Sequence, residues 1–584
     1  MDPSKLICIY RNTEIKFEIC KVEDLELDKL TKFTIGPNVF DDKDETRDVI
    51  LVKTFSNKST NEPKIFAIPF QCAFCNWSLE QGFVQDNIIR CSLDGSGYDL
   101  ETGELLDGPG FDNLSVYKVV TEDNQVCIVA SIGKLRQRTK EPFTLQKWEN
   151  STENGVAIIG SGPDAVRCIE TLRKEGYTYP ITLISKEDTL PYHTYHLPSY
   201  YLIKVEEIHI RPMEFYKNLN VEVLLNTNVI SIDFEKKIIT LDTDPEKPRK
   251  YQQLVLAMGS EKKKLQVPGS DLKGIYYLNT WKDAYDINMA SFEQDPPIDK
   301  WAIIGSSFDC YELASAYFFR VSSIDVIDPS EAPLKMLGST FSKELPEALK
   351  SINVTLHINK TVESFEGDEE NRISKVKLDD GSILECNLAV VFIGIEPRTS
   401  FLNPGQIKMD ENGYIFVNKF METSQSDVYA IGDNTKFPIW QNISGKVCQG
   451  EKYISLPYWS MAQTQGKITA RTIMGKKCNR KLVPITICEF VGVEPYETFC
   501  GDPAIEYDSE ITRGTDIKNR ITYFLKNDEV VAVSNNYCNS NLAVQFLEIF
   551  QRGIKVIRGD VEKNETNDWS EVMKRGDETL YDKE

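Results

Sequence analysis

The hexapeptide Gly160-Ser161-Gly162-Pro163-Asp164-Ala165 follows the apolar run Val156 to Ile159 and opens a helical stretch, Asp164 to Glu175. Gly-x-Gly-x-x-Ala at a strand-to-helix turn suits a pyrophosphate. Gly160 permits the tight turn. Gly162 has no Cβ, so backbone can approach the phosphates, and Ala165 keeps helix and strand close. The first helical turn offers free N–H groups and the positive end of its dipole. Glu187, just past a second strand at Ile181 to Ser185, is the nearest acid placed to hold ribose hydroxyls; a plain surface charge is the alternative. The opening recurs as Ala302-Ile303-Ile304-Gly305-Ser306-Ser307, followed by a helical stretch, Phe308 to Phe319, and a strand, Ile324 to Asp328. This second unit keeps only Gly305 of its glycines. Ser307 puts a Cβ where backbone would touch pyrophosphate, and Cys310 takes the helix-packing position. Asp328 sits where it would hold ribose hydroxyls and repel a 2′-phosphate, which favours NADH over NADPH if a nicotinamide cofactor binds. A Rossmann unit without that affinity is the alternative reading.

The elements around these loops divide the 584-residue chain. Apolar runs Leu254 to Gly259 and Ala389 to Gly394 look alike, so the middle reads as an internal duplication of nucleotide-binding units and the fold class as α/β. Short alternating strands at Val49 to Thr54, Lys64 to Pro69, Ile88 to Cys91, Ser115 to Val120 and Val126 to Ser131 point to a small all-β domain over 1–136. A polar linker spans 137–154. One dinucleotide domain covers 155–294 and 396–478, the other 295–395. A C-terminal α+β domain, 479–584, ends in an acidic tail. Net charge is −22, from 67 basic and 89 acidic residues, which argues against nucleic-acid or anionic-membrane partners. No apolar run is long enough for a membrane span. Met1-Asp2-Pro3-Ser4-Lys5 lacks a signal-peptide core, and 14 scattered cysteines fit reduced thiols, so a cytoplasmic location is expected.

A second signal lies at Thr423-Ser424 and Val428-Tyr429-Ala430-Ile431-Gly432-Asp433. It resembles the Thr…Tyr-Ala-x-Gly-Asp strand of two-dinucleotide-domain flavoproteins, which implies that Asp433 meets a ribityl hydroxyl of FAD. A helical stretch, Ser460 to Ile473, follows; in such folds its N-terminus faces the flavin pyrimidine edge. Together with Leu190-Pro191-Tyr192, Ala257-Met258-Gly259-Ser260, Val267-Pro268-Gly269, Gly381 to Pro397 and Tyr458-Trp459, the chain resembles the apoptosis-inducing-factor-like, Rieske-containing branch of ferredoxin-reductase-type flavoproteins. The resemblance covers most of the chain. It implies electron transfer from NAD(P)H through FAD to an iron–sulfur carrier. Thr194 and Ser199 replace an Arg and a Lys of that family's flavin site. Lys263 stands about where the family has Arg, and Glu312 matches an acid at its nicotinamide site. His193 and His196, at i and i+3, read as solvated or packed side chains rather than metal ligands.

The same resemblance aligns Cys72-Ala73-Phe74 and Cys91-Ser92-Leu93-Asp94 with the Cys-x-His and Cys-x-x-His ligand loops of Rieske domains. Both cysteines remain. Phe74 and Asp94 replace both histidines, which argues against a 2Fe–2S cluster. Cys75 adds a Cys-x-x-Cys beside Cys91-x-x-Asp94, a spacing that resembles a zinc ribbon with Asp as fourth ligand. Free thiols are the favoured reading, with zinc or a Cys72–Cys91 disulfide as alternatives, so no metal is expected.

Functionally the chain reads as an FAD-dependent oxidoreductase that accepts hydride from NADH and passes electrons to an unassigned acceptor, a redox protein among the options. No side chain stands out as an acid–base catalyst. The alternative is a weak or inactive pseudoenzyme with a protein-binding role.

Overall fold

The fold was analysed in a computed structural model. It describes residues 13–573 except 37–39, 41–43, 56–61, 141–153, 200–203, 293–298, 440–452, 478–481, 494–495, 505 and 537–540. Most of the expected linker, and the acidic tail from 574, lie outside the described residues. The chain forms two compact units. One comprises 1–144, 540–554 and 564–578, and the other 145–539, 555–563 and 579–584. Among the described residues, no helix is long and apolar enough to cross a membrane.

The first unit is built from antiparallel sheets. Arg47–Thr54 lies between Leu30–Ile35 and Lys64–Pro69, and Gln125–Ala130 between Ile15–Lys21 and Lys118–Glu122. Val49, Leu51, Ala67, Val126 and Ile128 form the core between them. A four-stranded sheet follows in the order Phe83–Gln85, Ile88–Arg90, Gly97–Asp99, Leu105–Asp107. Its first turn uses Asp86 (φ 49°) and Asn87 (φ 68°), two left-handed residues, which suits a two-residue hairpin and pairs Gln85 with Ile88. The expected C-terminal domain does not stay whole. The helix Leu542–Gln551 belongs to this first unit. It is buried on almost every face, and its polar residues have specific partners here. Arg90, 1% exposed, donates to Asp107 at 2.9 and 3.1 Å, to Glu548 at 2.7 Å and to Gln551 at 3.3 Å. Such a partnership between distant segments leaves no trace in local periodicity.

The second unit contains two parallel five-stranded sheets. One runs Val221–Leu224, Ile181–Ile184, Val156–Ile159, Gln253–Leu256, Val428–Ala430. The other runs Val354–Ile358, Ser323–Asp328, Lys300–Gly305, Leu388–Phe392, Ile275–Tyr276. The inner strands Val156–Ile159 and Leu388–Phe392 are buried throughout and read as unbroken apolar runs, as parallel strands covered on both faces do. Each sheet has a three-stranded antiparallel companion, Val229–Asp233 to Lys250 and Val362–Gly367 to Glu385. The two crossings of the chain between the sheets pair with each other, Ser260–Lys262 against Ile395–Pro397. A five-stranded antiparallel sheet, with Glu529–Asn536 at its centre, shares a core with the second parallel sheet through Phe490, Phe499 and Phe524 beside Trp301 and Phe341.

Candidate functional site

The first glycine loop ends the strand Val156–Ile159 and starts the helix Pro163–Lys174, with Gly162 as N-cap and Pro163 in the first turn. Gly160 has φ +111°, and a Cβ there would stand 1.8 Å from Ala257 O. Any other residue would be strained and would clash. Ala165 is fully buried. The helix Trp459–Ile473 crosses close by, because Gly466 brings its backbone to within 2.2 Å of Asp164 O, measured from the place of an added Cβ. These features make a tight strand-to-helix turn at Gly160, Gly162 and Ala165.

Asp164 was legible only as a spacer residue, yet its carboxylate is the main departure within this turn. It is 3% exposed and accepts from the Ala165 N–H at 2.9 Å, a first-turn donor. Its oxygens lie 2.4 Å from a Cβ placed on Gly162 and 2.2 Å from one placed on Gly432 (φ +76°), so it occupies the space between the two glycines. Burial pushes its pKa up to about 7, and the neighbouring Asp433 adds to the rise.

Asp433 lies at the end of the strand Val428–Ala430 and accepts from Ser260 Oγ at 2.9 Å. Desolvation in its recess raises its pKa, opposed by the Ser260 hydroxyl and by the charges of Lys262 and Arg398. Arg398 follows the strand Ile395–Pro397, and its buried Nε has no hydrogen-bond partner among the described residues. It stands one position beyond Gly381 to Pro397, the run that carries the family resemblance, so no motif points to it. Lys263 is exposed, and its N–H donates to Gly394 O at 3.0 Å; its neighbour Lys262 carries the local charge, 2.8 Å from Asp309. Glu187 is half-buried close to Tyr192, whose hydroxyl accepts from Trp281 N–H at 3.0 Å. His193, Tyr195 and His196 form an aromatic cluster with Trp459, with ring centroids 5.1–5.7 Å apart at Trp459 and the His193 edge of Tyr195. Burial, with His193 nearby, holds His196 down at about 3 and so neutral. Both histidines are packed.

A glycine loop, an acid fixed by a hydroxyl and an Arg with an unmet donor fit an FAD pyrophosphate and ribityl chain. Asp164 is the acid of the glycine loop itself, and it opposes a phosphate by charge.

The second loop differs. Gly305 keeps its turn, with φ +143° and an added Cβ 2.2 Å from Phe392 O, and Ser306 and Ser307 are exposed. The expected acids turn inward. Asp328 is fully buried, accepts the Tyr311 hydroxyl on one oxygen and accepts Ser330 N–H on the other at 2.7 Å. Glu312 accepts the Glu489 N–H at 3.0 Å, and burial pushes its pKa up to about 8. Both carboxylates fasten elements of the fold.

In the first unit, Cys72, Cys75, Cys91 and Asp94 come together, with all four ligand atoms within 4.8 Å of one another. Cys75 Sγ is 3.6 Å from Cys91 Sγ, and the Cys72 thiol donates to Asp94 at 3.2 Å. Burial and the adjacent Cys72 raise the pKa of Asp94 to about 8. The set does not fit a Rieske cluster. Phe74 brings no donor atom, and two irons need two separated ligand pairs rather than one knot.

The model for "Pyridine nucleotide-disulphide oxidoreductase" matches residues 154–466. Apoptosis-inducing factor 3 of Mus musculus is 26% identical over 96% of this chain and 89% of its own length. Rubredoxin-NAD(+) reductase of Pseudomonas putida is 27% identical over 48% of this chain and 71% of its own. Among solved structures, the covalent putidaredoxin reductase–putidaredoxin complex superposes with a TM-score of 0.64 at 21% identity, covering 73% of this chain and 99% of the other.

Proposed function

The chain belongs to the pyridine nucleotide-disulphide oxidoreductase family, and from that premise we propose that it is an FAD-dependent oxidoreductase that takes hydride from NADH and hands electrons to a redox-protein acceptor. One observation carries the reading: the Gly160 loop, the Ser260-held Asp433 and the unmet Arg398 Nε converge on one recess. FAD supplies the hydride-accepting chemistry when bound. The residues supply binding and orientation. The turn at Gly160, whose own N–H is donated to Ile184 O, and the bare Gly162 let the start of the helix Pro163–Lys174 approach the pyrophosphate. Asp433, oriented by Ser260, accepts a ribityl hydroxyl. Arg398 offers a charged donor to the nucleotide. The rings of His193 and Tyr195 pack on Trp459 and so fix the start of the helix Trp459–Ile473.

The nicotinamide side rests on the relatives, one of which is named an NAD(+) reductase, and not on Asp328 or Glu312. The two parallel sheets are read as a duplicated unit, the first unit as a Rieske-type fold that has lost its cluster ligands, and the location as cytoplasmic. A second reading has its own support. With Asp164 in the first turn and both nicotinamide-side acids turned inward, a flavin-holding protein of weak or no activity, with a protein-binding role, fits the same geometry.

The absorbance spectrum of the purified protein, taken before and after anaerobic NADH, separates them. Flavin bands that bleach establish the oxidoreductase. Flavin bands that persist favour the second reading. Absence of flavin after reconstitution with excess FAD overturns both.

A further inference from the structure

The Cys72 and Cys91 loops have the same form. Each runs ligand-x-x-ligand and then turns on a left-handed residue, Asn76 (φ 62°) after Cys75 and Gly95 (φ 72°) after Asp94. That backbone curls both side chains of each pair to one side. The first turn is closed by Cys72 N–H donating to Trp77 O at 2.8 Å, the second by Gly95 N–H donating to Cys91 O at 3.1 Å. Two such turns face each other, and four donor atoms meet within 4.8 Å. Cys72 and Cys91 are fully buried and Cys75 partly so.

The distances suit a single ion. With Zn–S bonds of about 2.3 Å, a tetrahedral centre holds its sulfurs about 3.8 Å apart. Cys75 and Cys91 stand 3.6 Å apart, and Cys72 Sγ lies 3.2 Å from Asp94 Oδ2. The outer contacts are also in place. Ser96 N–H donates to Asp94 Oδ1 at 2.8 Å, which turns Oδ2 toward the sulfurs, and the Tyr98 hydroxyl lies 3.3 Å from Cys72 Sγ. Partners of this kind orient ligands and tune a bound metal. Three sulfurs and a carboxylate oxygen converging within one ion's reach suit a cation, and the softness of thiolate ligands selects a zinc-like ion over magnesium or calcium.

We propose that Cys72, Cys75, Cys91 and Asp94 form a closed, tetrahedral structural site for one Zn²⁺, standing where a Rieske domain would hold its cluster. Cys75 supplies the third thiolate that the iron-cluster pattern does not contain. Zn²⁺ has no redox chemistry, so the site pins two loops and carries no electrons.

The test uses the full chain, purified without chelator, with metal content measured by mass spectrometry. One zinc per chain is expected. The apoprotein, titrated with Co²⁺, is expected to develop the visible bands of a tetrahedral cobalt thiolate. Cys75→Ser, the least buried ligand position, is expected to lose zinc at least tenfold more readily to a competing chelator, with the secondary structure seen by circular dichroism retained. Asp94→His, which keeps a zinc donor set, is expected to retain the ion and guards against a simple folding defect. No stoichiometric metal after anaerobic reconstitution, a Cys72–Cys91 disulfide, or iron with acid-labile sulfide would each overturn the proposal.

Discussion

The two glycine loops of the second unit place an aspartate at the same position, the second residue of the helix: Asp164 after Gly160 and Asp309 after Gly305. Asp309 is 44% exposed and pairs with Lys262 Nζ at 2.8 Å. Asp164 is closed in by Gly432 and by the crossing at Gly466, and takes a backbone N–H instead of a cation. The motif is the same, but one loop lies beneath a second helix and the other opens to solvent. What a carboxylate does at a helix start is set by what covers it. At the open loop it is a solvated charge near a lysine. At the covered loop it competes with a phosphate for the same donors.

The sharpest way to break this comparison is at the shared glycine. Gly160→Ala is expected to cost on the order of 3 kcal/mol through strain and contact with Ala257, and to abolish flavin retention. Gly305→Ala, with a similar clash at Phe392, is expected to cost about as much by the same principle but to leave flavin in place. Urea midpoints and flavin content read both, and equal flavin loss would refute the assignment of the first loop.

Next in size is Asp164→Asn. The folded pKa of Asp164 is raised from 3.8 to about 7, so the folded state keeps a proton that the unfolded chain has lost. That stabilisation is full below about pH 4 and is lost as pH rises through 7. A neutral carboxyl also stops repelling phosphate. Wild-type FAD affinity is therefore expected to fall about tenfold from pH 6 to pH 8. The Asn variant should bind with the tighter affinity throughout, and Asp309→Asn should behave as wild type. Fluorescence titration at both pH values decides it, and a pH-independent wild type would sink the idea. The smallest effect is expected from Ser307→Gly, which restores close backbone approach at the open loop and should tighten NADH binding by about threefold. Stopped-flow flavin reduction measures it.

Much of this architecture was readable along the chain. The strand-loop-helix grammar located both parallel sheets, and Gly160, Gly162, Ala165 and Asp433 lie where their spacing put them. Asp164 was passed over because the motif treats its position as variable. Asp328 and Glu312 were given cofactor roles from their place in the pattern, but Tyr311 and the Glu489 N–H, far off in sequence for Glu489, claim their oxygens. The cysteine spacing was visible, but its convergence was not. The second loop starts next to Arg90, whose partner Glu548 lies near the other end of the chain.

That partnership also sets a schedule for synthesis. The β-strands of the first unit leave the ribosome early, while the helix Leu542–Gln551 and Trp569, against which Phe546 packs at 5.2 Å, are made about four hundred residues later. At ordinary elongation rates that gap is roughly 20–80 s. For that time Arg90 has no Glu548, and the surface that will bury the helix is bare. The first domain to be born thus waits for almost the whole chain before its fold can close.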